Sequence, residues 1–379
     1  MNIAFYAPLK SPDAAAPSGD RLIGRMLRQA LQDGGHTVEI ASRLRAFDRD
    51  GDAARQRRIE RIGQWIAGRL ARRLGARKPA DRPDLWLTYH LYHKAPDWLG
   101  PPVSCALAIP YCIAEASVSP KQAKGRWAAG HEATAAALET ADLVVNLNPK
   151  DEPGIKPFLK SSASSVRLSP FIDGRVFRQA RTQRAHHRST IARETGLDPK
   201  DPWLIAVGMM RLGDKARSYA LLVDALGQLG ARRWQLIVVG DGAARQDVTE
   251  KVKAFGNRVH FAGQQDRPTV AALMAACDLF VWPAINEALG MVFIEAAAAG
   301  VPAIGAERPG VASIVDHGVT GLLPPEHDAA LFADAIATLL DDPERRQRMG
   351  TAAFAKAFAD HDIATQGPLL CRALEALVP

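Results

Sequence analysis

The sequence predicts an α/β protein built from two Rossmann-like, doubly wound domains, and three observations predict it. Short apolar runs alternate with longer amphipathic stretches, the pattern of a parallel sheet covered by helices. That alternation occurs as two successive series. The length, 379 residues, divides into two domains at roughly 150 residues each.

In the first series Ile3–Ala7 reads as a strand stopped by Pro8, Arg21–Asp33 as a helix, and Thr37–Ala41 as the next strand. Asp84–Tyr89, Val103–Ile109 and Leu143–Leu147 continue the sheet. The loop Pro149–Ser165 and the strand Val166–Pro170 follow, and the basic stretch Arg178–Arg188, with His186 and His187, reads as a connector. The second series runs through strands at Trp203–Val207, Trp234–Val239, Val259–Phe261, Asp278–Trp282 and Pro302–Ile304. Helices are expected at Tyr219–Leu229, Ala243–Phe255, Thr269–Ala276, Met291–Ala299, Ala329–Leu340 and Pro343–Phe358. No fixed-period repeat suggests a solenoid. Doubly wound sheets bind ligands beyond the carboxyl ends of their strands, so the functional residues are expected in the loops that follow strands.

Composition excludes several classes. Gly and Pro, 30 and 25 residues, are too few for a collagen-like or low-complexity chain. The four cysteines, Cys105, Cys112, Cys277 and Cys371, form no CxxC pair and no disulfide framework, which points to a reducing, cytoplasmic compartment. No stretch approaches the ~20 apolar residues of a membrane span. The N-terminus lacks the basic and apolar regions of a secretion signal.

The formal charge of +7 is unevenly placed: Arg43 to Lys78 holds twelve Lys/Arg against four acids. Within 54–78, Ile59, Ile62, Trp65, Ile66, Leu70 and Leu74 recur at three- and four-residue steps among arginines. Two readings stay open: peripheral contact with an anionic membrane, or an apolar stripe on the first sheet with solvated arginines. Nucleic-acid binding is not expected, because only Trp65 is interleaved with these charges.

The most informative stretch is Pro283–Ala296. A strand ends in a loop carrying Glu287, then Gly290, then a helix carrying Glu295. The free amides at that helix start suit a phosphate, and the two carboxylates suit hydroxyl groups. Together they fit a sugar and a ribose flanking a diphosphate. Alternatively, Glu287 caps the helix and Glu295 is solvated.

Several blocks in the right order resemble the C-terminal domain of retaining family-4 glycosyltransferases, which have the GT-B fold of two Rossmann-like domains facing a central cleft. They are Val239-Gly240-Asp241-Gly242, Val259 to Gly263, Asp278 to Pro283, Glu287 to Pro302 and Ile314 to Leu323. The resemblance implies that Glu287 contacts the donor sugar and that Glu295 holds the ribose hydroxyls. It also implies that the backbone of Leu289, Gly290, Met291 and Val292 binds sugar and phosphate, with Gly263 nearby. Gly208, Arg211 and Lys215 would receive the departing diphosphate, although Arg211 stands two residues beyond the usual arginine, where Met209 lies. Ala288 replaces a usual glycine.

In the first domain the segment Pro17-Ser18-Gly19-Asp20-Arg21 occupies the place of the family's glycine-rich loop, so Gly19 is a donor-binding candidate; a plain helix cap is the other reading. His90, in Tyr89–Lys94, resembles the family's D-x-x-H-x-H stretch, and a site role and a structural role stand level. Where the family usually has a histidine after the next apolar strand, Glu115 or Ala116 is found, and Glu115 is the candidate replacement. The resemblance implies residues 1–172 as the acceptor domain, joined by the returning segment 359–379, and 173–358 as the nucleotide-sugar domain. It further implies a retaining hexosyltransferase using a nucleotide-diphosphate sugar. No cofactor and no metal are expected, because no DxD motif stands at a strand end and side chains supply the cations. The acceptor would be a glycan or lipid-linked saccharide of cell-envelope or exopolysaccharide type. A nucleotide-sugar 2-epimerase and a non-catalytic binding protein of the same fold are the alternatives.

Overall fold

Parallel strands account for both halves of the molecule in a computed structural model that describes residues 1–14 and 18–378. Pro17, in the glycine-loop segment, and the terminal Pro379 lie outside the described residues. The chain divides into one unit of Met1–Phe171 with Ile363–Pro379 and a second of Ile172–Asp362.

In the first unit the strands are β1 (Asn2–Tyr6), β2 (Thr37–Ser42), β3 (Leu85–Tyr92), β4 (Tyr111–Ser117), β5 (Leu143–Asn146) and β6 (Ser164–Arg167). They form one parallel sheet in the order β2-β1-β3-β4-β5-β6. The second unit contains β7 (Trp203–Val207), β8 (Gln235–Val239), β9 (Val259–Gly263), β10 (Leu279–Trp282), β11 (Ala303–Gly305) and β12 (Gly321–Leu322). Their order is β12-β11-β10-β7-β8-β9. Strand order therefore reverses between β1 and β3 in one sheet and between β7 and β10 in the other, and such reversals open crevices at the strand ends. The central strands are continuously apolar because helices cover both faces: Leu85, Trp86, Leu87, Cys112, Ile113, Leu204, Ile205, Phe280 and Val281 are all buried.

Several sequence expectations are corrected. Val103–Ile109 is not a strand: the helix Gly100–Leu107 occupies it, and β4 begins at Tyr111. Asp97 starts that helix by accepting from the N–H groups of Leu99 and Gly100, both at 2.8 Å, and Pro101 and Pro102 favour its first turn. A short apolar run has no periodicity that separates helix from strand. The connector Arg178–Arg188 is instead helical, in Arg175–Thr182 and Arg184–Thr195. The strand expected at Val166–Pro170 lies earlier, at the sheet's edge, where one neighbour leaves a weak apolar pattern. The helix expected over Ala243–Phe255 ends at Val252 and gives way to a 3₁₀ segment in which Gly256 takes φ 56°. The helix Ala128–Thr140, which holds His131, was not expected at all.

The return to the first unit comes at Ile363 rather than Ala359, because the helix Pro343–Asp360 runs unbroken to the crossing. Beyond it, the helix Ile363–Glu375 buries Leu370 and Leu374 and packs on the helix Gly19–Asp33.

Candidate functional site

In the second unit the reversal point gathers the predicted donor-binding residues. Glycines fasten the loop after β7 to its neighbours. Gly240, at φ 135°, lies so close that a Cβ there would come 2.0 Å from the Gly208 carbonyl. The Gly208 N–H donates to the Val239 carbonyl at 3.0 Å, and Gly240 N–H donates to Gly263 at 2.7 Å. The Tyr219 hydroxyl donates to the Gly208 carbonyl at 2.7 Å. Three adjacent strand ends are thus locked together, which fixes where the helix Asp214–Gly227, and Lys215 in its first turn, begins.

The loop after β10 is fixed by different means. Ala284 and Asn286 hold left-handed backbone, φ 55° and 59°, which ordinary side chains tolerate only when the surroundings impose it. Those surroundings are present. Ile285 N–H donates to the buried Ser218 hydroxyl at 3.0 Å. Asn286 N–H donates to Glu326 at 3.1 Å, its amide donates to Asp214 at 3.2 Å, and its side-chain oxygen accepts from Arg308 at 3.1 Å. Arg308 is itself paired with Glu326.

This scaffold places Glu287 Oε2 2.5 Å from Lys215 Nζ, both half-buried, with the ammonium 5.3 Å from the Trp282 ring centroid. Gly290, at φ 59°, starts the helix Met291–Ala298 without a side-chain cap. Its first-turn N–H groups, at Met291 and Val292, have no intrahelical partners. Leu289 and Val292 are partly exposed, and Met291 is buried. Glu295 lies on the same helix. Burial raises its carboxyl above the usual value, and the charge of Arg267 partly opposes that. Gly263 ends β9 at φ 69° with open space where a side chain would stand. Arg211 is exposed and takes part in no ion pair among the described residues, so it is not drawn into the Lys215–Glu287 contact.

The first unit gathers a second group at its own reversal point. Register pairs Tyr89 with Ala114 and Leu91 with Ala116 across β3 and β4, so His90 and Glu115 stand opposite one another. Both hold left-handed backbone, φ 64° and 63°. Glu115 therefore lies within β4, not in a loop after a strand as the sequence suggested. It is 8% exposed, and its Oε2 is buried without a hydrogen-bond partner. Burial raises its pKa, opposed by His90 and reinforced by the charges of Asp20 and Asp151. On the other side, Asp20 Oδ1 lies 3.1 Å from His90 Nδ1. Burial alone would lower the His90 pKa, but the Glu115 and Asp20 carboxylates outweigh it and hold the imidazole above its ordinary value. Asp20, despite burial, is held below the usual carboxylate range by His90.

Gly19 opens its helix with free space beside it, while Ser18 is the cap, accepting from Arg21 N–H at 3.3 Å. Both sequence readings of that turn are therefore compatible with its geometry. Asp20 as the partner of His90, and the Asn286–Arg308–Glu326 support, escaped the sequence reading. These residues are distant in the chain, and no spacing links them. Among the described residues no three His, Cys, Asp or Glu gather as a metal set.

Residues 187–356 match the family model of glycosyl transferases group 1. The chain is 28% identical over 247 residues to the alpha-D-kanosaminyltransferase of Streptomyces kanamyceticus, covering 65% of this chain and 62% of that protein. It is 33% identical over 223 residues to the N-acetyl-alpha-D-glucosaminyl L-malate synthase of Bacillus anthracis, covering 57% and 55%. The matches thus span less than two thirds of these relatives' own length. The Anabaena protein HepE, solved in complex with UDP, aligns over 100% of both chains with a TM-score of 0.74 at 19% identity. The glycosyltransferase of Rickettsia africae aligns over 99% of this chain and 98% of its own, with a TM-score of 0.76 at 14% identity. The fold is GT-B.

Proposed function

We propose that this chain, whose residues 187–356 match the family model of glycosyl transferases group 1, transfers a hexose from a nucleotide-diphosphate sugar to an acceptor hydroxyl. The observation that carries the reading is the Lys215–Glu287 contact at the reversal point of the second sheet, beside the open helix start at Gly290. Cleaving a sugar–phosphate bond builds negative charge on the leaving oxygen, and a fixed cation in a preorganised site stabilises that charge. Lys215 supplies it, with Arg211 at the exposed rim. Glu287 accepts from a hydroxyl of the sugar, the Leu289–Val292 backbone donates to sugar and phosphate, and Glu295 accepts from the ribose. The names of the relatives and the UDP complex of HepE support a nucleotide sugar as donor.

In this reading the reaction retains anomeric configuration, with the leaving phosphate taking the acceptor proton, and side-chain cations stand in the role a metal ion fills elsewhere. The first unit serves the acceptor side, for a glycan or lipid-linked saccharide of cell-envelope or exopolysaccharide type, with Gly19 as a donor-binding residue and His90 and Glu115 as catalytic ones. The helix Ala53–Gly75 presents the 61% exposed Trp65, stacked beneath Arg69 at 4.7 Å, together with exposed Ile62. This face suits peripheral contact with anionic lipid on the cytoplasmic side.

The test is acceptor-dependent release of UDP, GDP or ADP from the corresponding sugars, with product stereochemistry read by NMR and the rate compared with and without a chelator. Glu287→Ala is expected to lower turnover at least tenfold more than it lowers nucleotide affinity. Absence of release from every donor rejects the reading. Epimerised free sugar without acceptor replaces it with epimerase chemistry, and equal losses in turnover and affinity remove Glu287 from the sugar.

A further inference from the structure

We propose that the second unit carries a separate binding site for a small phosphorylated or polycarboxylate anion, formed by Arg181, Arg184 and Arg346. These arginines line a cavity of about 370 Å³ together with Asp278, Gly300 and Thr351. Asp278 immediately precedes β10, whereas Glu287 follows it, so the cavity opens at the amino end of the strand whose carboxyl end holds the donor site.

The guanidiniums are held in place by groups that leave donors to spare. Arg184 donates through NH1 to the carbonyls of Ala275 and Cys277, at 2.6 and 2.5 Å, and through NH2 to Asp278 at 2.7 Å. The other oxygen of Asp278 accepts from Arg188 at 3.0 Å and from Trp203 N–H at 2.8 Å, so this carboxylate is already shared. Arg346 NH1 donates to the Leu339 carbonyl at 2.6 Å.

Arg181 differs from these. Its guanidinium lies 4.0 Å from the Phe354 ring centroid and edges Gly300, where a Cβ would come 2.7 Å from Nε. Among the described residues it makes no hydrogen bond or ion pair. Four guanidiniums, of Arg181, Arg184, Arg188 and Arg346, thus meet two carboxylates, Asp278 and Asp342, and Asp342 is occupied capping its helix through Arg345 N–H at 2.8 Å. The crowding registers on the cations. Burial, followed by the charge of Arg184, lowers Arg181. Arg346 is likewise lowered by burial, with Asp278 and Asp342 opposing the repulsion from Arg184 and Arg188.

An oxyanion relieves this imbalance. Planar guanidinium forks match the oxygens of phosphate and carboxylate, and the volume stands near the lower end of small-molecule sites. A ligand of the size of pyrophosphate or a monosaccharide phosphate fits both charge and space.

The test is calorimetric titration of the full-length protein with inorganic pyrophosphate, which the donor site also attracts. In Lys215→Ala the arginine site is expected to remain titratable. Arg181→Gln, or Thr351→Glu, which sets a carboxylate at the exposed edge of the same cavity, is expected to weaken this remaining binding at least tenfold when combined with Lys215→Ala. Either change alone should leave UDP affinity unaltered. Thr351→Glu stands on an exposed helical face, so it keeps the test intact if Arg181→Gln disturbs folding. Loss of all pyrophosphate binding in Lys215→Ala overturns the proposal, as does binding that survives unchanged in the combined variants.

Discussion

At the scale of single residues, Lys215 and Glu287 hold each other at 2.5 Å, yet each is assigned a different part of the donor. A half-buried pair of this kind adds little to stability, so its removal should register in binding. Lys215→Ala is expected to weaken nucleoside-diphosphate affinity about 10- to 100-fold, since a charge-assisted bond contributes roughly 1.5–3 kcal/mol; unchanged affinity by calorimetry removes Lys215 from the site.

His90 gives a pH-dependent prediction. Its pKa is raised in the folded protein, so the stabilisation is fully present below the unfolded imidazole value, ~6.5, and is lost as pH rises through the folded value. Asp20→Asn should lower the His90 titration seen by histidine-resolved NMR and flatten the fall in Tm above pH 6.5. An unmoved His90 titration in that variant contradicts the pairing. Glu115 has the opposite balance: its carboxyl is raised by burial, so its ionisation in the fold is a cost that grows as pH rises above ordinary carboxylate values.

At the scale of elements, the loop after β7 is held by close backbone approach more than by side-chain bulk. Gly240 is the tightest example. A Cβ there meets the Gly208 carbonyl, and φ 135° is foreign to other residues. Gly240→Ala is expected to destabilise the second unit by about 2–4 kcal/mol from strain and overpacking. It should also weaken UDP binding by displacing the loop that leads to Lys215. Retained Tm and retained binding together contradict this account.

The helix Ala53–Gly75 shows a division of labour. Gly63, Ala67, Leu70 and Leu74 form its buried face, and Gly63 lies against Trp98 where a Cβ would come 2.5 Å from the Trp98 Cβ. Ile62 and Trp65 remain outside. Trp65→Ser should therefore leave Tm within about 1 °C, because an exposed side chain contributes little. It should reduce co-sedimentation with vesicles containing anionic lipid, and undiminished vesicle binding argues against the membrane role of this face.

At the scale of the whole molecule, two different strand orders each reverse once, and each reversal carries a group of ionisable side chains: Asp20–His90–Glu115 in the first unit and Lys215–Glu287 in the second. The chain crosses into the second unit and returns, so the end of the chain completes the first. Leu370 and Leu374 are buried, and Cys371 Sγ approaches the Ala30 carbonyl at 3.7 Å. At about 1.5–3 kcal/mol for each large apolar side chain, ending the chain after Asp362 should remove several kcal/mol from the first unit alone. Calorimetry is expected to show a lowered or missing transition for that unit and a preserved one for Ile172–Asp362. Equal loss in both contradicts the division.

The amino-acid sequence by itself determined the α/β class, the two series of strands and the block from Val239 to Leu323, because continuous apolar runs and strand-end glycines are local signals. Arg178–Arg188 and Val103–Ile109 are not legible in this way, because a basic helix reads like a linker and an apolar helix of two turns reads like a strand. Only tertiary structure decided that Asp20 reaches His90, that Glu115 stands in a strand opposite it, and that Asp214, Arg308 and Glu326 hold Asn286 in place. Those contacts join residues far apart along the chain, and strand order, which no local pattern encodes, is what brings them together.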